Sequence, residues 1–178
     1  MIRYLLGKML DRFEKQNGYN VDYARFLLKQ SLNAFWQYAR LQGISQYREE
    51  IPLDVYYAAK ITAALHADCG PCVQLVVGWA EQEGIAPAVL RAIIARDFAA
   101  LPADAALGVR YALAVLAHEP AADGFRESIR TKWGDEAVIS VAYAVVSGQI
   151  YPNLKYALGY AHTCQQVTVQ GAAVPVTH

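Results

Sequence analysis

Cysteine is scarce in this 178-residue chain: three copies, an odd and small number that excludes the disulfide framework of small secreted domains. Net charge is missing too. Sixteen lysines and arginines cancel sixteen aspartates and glutamates, so no global field gathers polyanions and nucleic-acid binding has no support. Charged residues are 18% of the chain against 55% hydrophobic ones, a balance that can bury enough apolar surface to offset chain entropy and argues against disorder. Long apolar runs are absent. The best, Ala137 to Val146, contains Ser140 and is about half of the ~20 residues that span a bilayer, so no membrane partner is expected. The opening MIRYLLGKMLDRFEKQ lacks a continuous apolar region and a small-residue cleavage site, the pattern of an amphipathic helix in a cytoplasmic protein.

Strict apolar alternation is rare before the last dozen residues, whereas apolar positions recur at three- and four-residue spacing almost everywhere. This predicts an all-α, multi-helix bundle. Alanine reinforces the reading, since 23 of its 30 copies lie between residues 51 and 150, where small side chains let helices approach closely. The chain divides into an N-terminal helical arm over 1–49, a helical core over 50–162 and an extended tail over 163–178 that lies on a surface or a neighbouring subunit. In the arm, helices are expected over about Ile2–Gln16 with a stop at Asn17-Gly18, Val21–Leu28 capped by Asn20, and Asn33–Leu41 closing near Gly43. In the core they are expected from Pro52 to about Ala67, from Pro71 to Gly84, over Ala88–Asp97 and over Asp104–His118. Asp123 and Asp135 are placed as caps of two further helices, with Pro152 breaking or kinking the last.

The sharp chemical motif is Cys69-Gly70-Pro71-Cys72. Cysteines three apart, the first just before a helix and the second in its first turn, are close enough to bridge, and helix N-terminal amides favour a thiolate. Asp68 opposes this, because an adjacent carboxylate repels a thiolate. The pair is read as redox-active. A zinc site completed by His66, His162 and Cys164 and a pair of inert buried thiols are the other readings, and neither a metal nor a cofactor is expected. Cys164 alone reads as a small buried hydrophobe. Haem attachment fails because Val73 follows Cys72. Trp36, Tyr38, Trp79 and Trp133 are expected to pack in the core or an interface, with a substrate pocket as the alternative. Glu81 and Glu83 read as a solvated helix face.

The motif also occurs in thioredoxins, but there it follows a β-strand, and here a helix-period segment leads into it. With that entry, and with Arg110-Tyr111-Ala112-Leu113-Ala114, Phe125 to Trp133 and Gly134-Asp135-Glu136-Ala137-Val138 downstream, the region over about 50–160 resembles the alkylhydroperoxidase D-like, or carboxymuconolactone decarboxylase-like, family. The resemblance implies a thiol-dependent antioxidant oxidoreductase that reduces a small hydroperoxide. In it, Cys72 attacks the peroxide, and Cys69 resolves the sulfenic acid and meets a thiol or lipoyl reductant protein. It also implies a homo-oligomer. The family's relay glutamate and histidine correspond to Tyr57 and Val76 here, so candidate relay groups are Tyr57 itself, Asp54 one helical turn before it, and His66. The alternative is a non-catalytic helical oligomer whose cysteine pair is a redox sensor or a structural element.

Overall fold

The computed structural model describes residues 1–161 and 166–176. Among them the chain is helical apart from one hairpin: α1 (Ile2–Asn17), α2 (Asp22–Gln30), α3 (Leu32–Gln46), α4 (Leu53–His66), α5 (Gly70–Gln82), α6 (Pro87–Ala95), α7 (Ala103–Leu116), α8 (Ala121–Ala157), β1 (Gln166–Val169) and β2 (Ala172–Pro175). The fold is therefore all-α, as the periodicity predicts.

Helix α4 is the axis of the core. Every residue from Val55 to Leu65 is buried, Lys60 and Thr62 included, and α5, α6, α7 and α8 pack around it. A helix apolar on all faces has nowhere to sit but the interior. Alanine lets its neighbours close in, and at two points only glycine fits. A Cβ on Gly108 of α7 would stand 2.6 Å from the Val55 carbonyl oxygen, and one on Gly148 of α8 would stand 2.7 Å from the Ala63 Cβ. Gly108→Ala must push α7 off α4, and the overpacking cost of about 1–3 kcal/mol exceeds the ~1 kcal/mol of helix propensity it gains. Thermal denaturation should show the variant melting below wild type; an unchanged or higher midpoint would mean that this helix pair separates at no cost.

In the arm α1 ends at Gly18 as expected, and Ser31 caps α3 through the Ala34 amide at 3.1 Å. Asn20 is not the N-cap of α2, a position that Val21 takes, although Asn20 Oδ1 accepts from the Asp22 amide at 2.9 Å. Helix α3 runs past Gly43 to Gln46 because tertiary contacts hold its end: the Ser45 carbonyl accepts from Lys60 Nζ and from Tyr56 Oη, a cation and a hydroxyl capping last-turn carbonyls. Asp123 and Asp135 are not caps. Their carboxylates accept from Arg126 and Arg130, and α8 runs through both positions with one break, at Gly134 (φ 88°, ψ 179°). That backbone conformation is open to glycine alone. Pro152 is accommodated without ending the helix. Helix α8 is long and apolar enough to cross a membrane, by length and composition, and its buried side packs on α4 and α7.

The tail forms an antiparallel hairpin, Gln166 opposite Pro175 and Val169 opposite Ala172, lying on α5 and α6 of its own chain. Alternation explains it: Val167, Val169 and Val174 turn inward and join the core.

Candidate functional site

Cys69 is the residue preceding α5, and Cys72 sits in the first turn behind Pro71. Their sulfurs are at disulfide distance with the Cα atoms 5.3 Å apart, inside the range that bridged cysteines occupy. Asp68 turns the chain into this position with φ 49°, and its carbonyl accepts from Tyr156 Oη at 2.8 Å.

The arm covers the pair. Leu10, Tyr19, Val21, Tyr23, Leu28 and Phe35 form one buried cluster with both cysteines. Cys69 is 0% exposed and Cys72 5%. The two sulfurs are not equivalent, however, because Cys72 lines a cavity of about 750 Å³ and Cys69 does not. Cys69 has no exposed surface beneath the arm, so the sulfur open to the cavity is that of Cys72.

Tyr19 Oη lies 3.6 Å from Cys72 Sγ in hydrogen-bonding geometry. Burial pushes the Tyr19 phenol well above its ordinary value, so it stays a neutral hydroxyl able to donate to a thiolate. Behind it the Lys155 ammonium, 2% exposed, sits 4.6 Å from the centre of the Tyr19 ring, and burial lowers its pKa. Tyr23 and Tyr38 share a hydrogen bond of 2.8 Å nearby.

Further along the same cavity stands Lys60, 3% exposed. Its Nζ donates to the Ser45 carbonyl, to Ser45 Oγ at 3.0 Å and to Tyr56 Oη at 3.0 Å, and it lies 5.1 Å from the centre of the Tyr56 ring and 5.9 Å from that of Trp79. Burial, then the positive charge of Arg48, brings its pKa down to about 7, with Glu83 pulling the other way. At the exposed rim, Arg48 and Glu83 pair at 2.6 Å, and Tyr57 Oη donates to Glu83 at 2.6 Å. Partial burial works to raise the Glu83 carboxyl, but the hydrogen bonds from Tyr57 and Arg48 hold it below its ordinary value.

Of the residues singled out from sequence, Cys72 and Tyr57 meet in the cavity, and Val76 lines it where the resemblance has histidine. Asp54 and His66 do not line it. Asp54 Oδ1 accepts from the Val55 amide at 3.0 Å, a helix-start contact, and His66 is an exposed residue of the last turn of α4. Glu83 is exposed, but it holds the Tyr57 and Arg48 contacts. Trp36, Tyr38 and Trp79 line the cavity, whereas Trp133 packs against the core. His162 and Cys164 lie outside the described residues, among which no group of three or more His, Cys, Asp or Glu is placed to hold a metal.

No family model matches the chain, and no curated protein or solved structure is similar to it. What the site can do is therefore argued from its own chemistry. Tyr19, Lys60, Lys155 and Tyr151 are functional candidates that the sequence reading missed. Lys60 had a signal, as the one charge between Asp54 and His66 in an otherwise apolar helix. Tyr19 had none, because 53 residues separate it from the sulfur it touches.

Proposed function

We propose that the chain is a cysteine-pair hydroperoxide reductase, with its core a helical fold of the alkylhydroperoxidase D-like type. The observation that carries this reading is the asymmetry of the pair: Cys72 faces a large, mainly apolar cavity, and Cys69 stands behind it at bridging distance.

The chemistry closes in three steps. The Cys72 thiolate attacks the terminal oxygen of ROOH, the O–O bond breaks, and RO⁻ takes a proton to leave as ROH, giving Cys72–SOH. The Cys69 thiol then displaces water from the sulfenic acid and forms the disulfide. A dithiol reductant restores both thiols and is itself oxidised to a disulfide. Tyr19 Oη, 3.6 Å from Cys72 Sγ, is set to stabilise the thiolate and to pass a proton to the departing oxygen. The family's carboxylate has a substitute here: Tyr57 occupies its position and hands its hydroxyl to Glu83, which connects the cavity to solvent. A slender dithiol, such as a lipoyl group, suits entry through the cavity that Cys72 lines.

The second reading, a non-catalytic helical oligomer with a sensing or structural cysteine pair, draws on the complete burial of Cys69 and on the valine at position 76. One titration separates them. Fully reduced protein is given one equivalent of cumene hydroperoxide and free thiols are counted over time. Wild type should lose thiols at least about a hundred-fold faster than Cys72→Ser, since the variant lacks the nucleophile; equal rates would leave the second reading.

Self-association belongs to the same proposal. Ile139, Tyr143 and Val146 form an exposed apolar stripe on α8, and Ile2, Leu5 and Met9 another on α1, each at spacings that share one helix face. Sedimentation should give a species heavier than the 19.6 kDa chain; a monomer alone would refute it.

A further inference from the structure

A buried ammonium normally keeps a carboxylate beside it, because an unpaired charge in a low-dielectric interior is costly. Lys60 has none within ion-pair distance among the described residues. The acceptors it does have are neutral: Ser45 O, Ser45 Oγ and Tyr56 Oη. The one acidic side chain lining the cavity, Glu83, is engaged with Arg48 and Tyr57. The charged side chains among the described lining residues are therefore Arg48, Lys60 and Glu83, and with Lys60 protonated the lining carries one positive charge in excess.

A second observation points to the same spot. Tyr151 Oη is buried, lines the cavity, and finds no acceptor for its proton among the described residues; the Ser45 side chain acts on it from the donor side, working to lower its pKa. A phenol with its pKa raised to about 12, chiefly by burial, is a neutral donor awaiting an acceptor. An ammonium lacking an anion and a hydroxyl lacking an acceptor thus flank the same serine.

The rest of the cavity asks for hydrocarbon. Leu6, Met9, Phe13, Leu75, Val76 and Trp36 are among its walls, and about 750 Å³ falls in the range of small-molecule sites. Lys60 stands beside Trp79, which follows Cys72 by seven residues on α5, or about 10 Å along the helix.

We infer that the cavity binds a medium- or long-chain carboxylate, its head group held by Lys60 and Tyr151 and its chain extending along α5 towards Cys72. Resting on the peroxidatic reading, this names the substrate class as a fatty-acid hydroperoxide oxidised part-way along its chain, about 10 Å from the carboxylate. The groups around Lys60 come from every packed element: Ser45 and Arg48 at the end of α3, Tyr56 and Tyr57 on α4, Trp79 and Glu83 on α5 or at its end, and Tyr151 on α8. With the Lys60 amine titrating near neutrality, the anion binds the protonated form, so binding takes up a proton and weakens as pH rises above about 7.

The test compares decanoate with decanol, read by quenching of Trp79 and Trp36 fluorescence, at pH 6.5 and 8.5 on full-length wild-type protein. Decanoate is expected to bind about ten-fold tighter than decanol at the lower pH, as a charge-assisted hydrogen bond allows, and to lose most of that advantage at the higher. Lys60→Met should bring decanoate down to the decanol level, and Tyr151→Phe should weaken it several-fold. Equal affinities for the two ligands in wild type, or no decanoate binding, would overturn the inference whether or not either variant folds. Decanoate binding in a protein whose thiols ignore peroxide would leave this site standing and remove the peroxidatic reading; rapid peroxide reduction without carboxylate preference would do the reverse.

Discussion

Replacing Lys60 by methionine should raise the thermal midpoint at pH 7 by roughly ten degrees. The lysine is carried in the core at a cost: its pKa falls from 10.5 to about 7, and each pH unit corresponds to ~1.4 kcal/mol, so the penalty is on the order of a few kcal/mol. Methionine has similar length, fills the same space and needs no solvation. The partner groups are not orphaned, because the Ser45 carbonyl still accepts from Tyr56 Oη at 2.7 Å. For a chain of this size ~1 kcal/mol moves the midpoint by ~2–4 °C. The pH dependence supplies a second readout. The unfolded chain keeps the Lys60 proton up to about pH 10.5 and the folded one gives it up near 7, so between those values the unfolded state binds more protons and wild-type stability rises with pH. Lys155, also lowered by burial, adds a contribution of the same sign. At the alkaline end the buried phenols reverse the trend, since Tyr19, Tyr23 and Tyr38 hold their protons more tightly folded than unfolded. Lys60→Met should flatten the rise between pH 7 and about 9.5. A lower midpoint for the variant, or an unchanged slope, would show that the ammonium is stabilised where it lies.

Cys69→Ser should separate attack from resolution. With no reductant present, one equivalent of hydroperoxide should convert reduced wild type to the disulfide, consuming both thiols of the pair. Cys69→Ser should consume the peroxide at a comparable rate but stop at the Cys72 sulfenic acid, detectable with dimedone by mass spectrometry; a second equivalent of hydroperoxide should carry it on to the sulfinic acid. Cys72→Ser should do neither. Burial makes the assignment directional: the reversed outcome, with Cys69 reacting first, requires the arm to leave before any peroxide arrives, since Cys69 has no exposed surface. That result would transfer the nucleophile to Cys69 and remove the cavity from the mechanism.

Much of the architecture was legible because it is local. Three- and four-residue apolar spacing marks helices whether or not their partners are known, and the stop at Gly18 and the first turn around Pro71 are properties of single residues. What escaped depended on distant contacts. Helix α3 overran Gly43 because Lys60 and Tyr56 reach across to its end, and the tail became a hairpin because its valines had α5 and α6 to pack against. The same division holds at the site. Cys69 and Cys72 announce themselves by spacing, whereas the roof over them is assembled from residues whose own segment reads as a plain amphipathic helix. Asp54, one turn before Tyr57, and His66, the imidazole nearest in sequence to the pair, lie outside the cavity: the first accepts from the Val55 amide at the start of α4 and the second is exposed at its end.

The roof has a thermodynamic corollary. Tyr19 touches a sulfur of the pair directly, so the tightness with which residues 1–49 close need not be the same over a dithiol as over a disulfide. Whatever that difference is, it is reciprocal: if bridging tightens the closure by some factor, then anything that pries α1 and α2 away makes the bridge easier to reduce by that factor. Electron supply and arm position would then be two readings of one equilibrium, and a protein that grips the N-terminal segment would control the sulfur chemistry without approaching it.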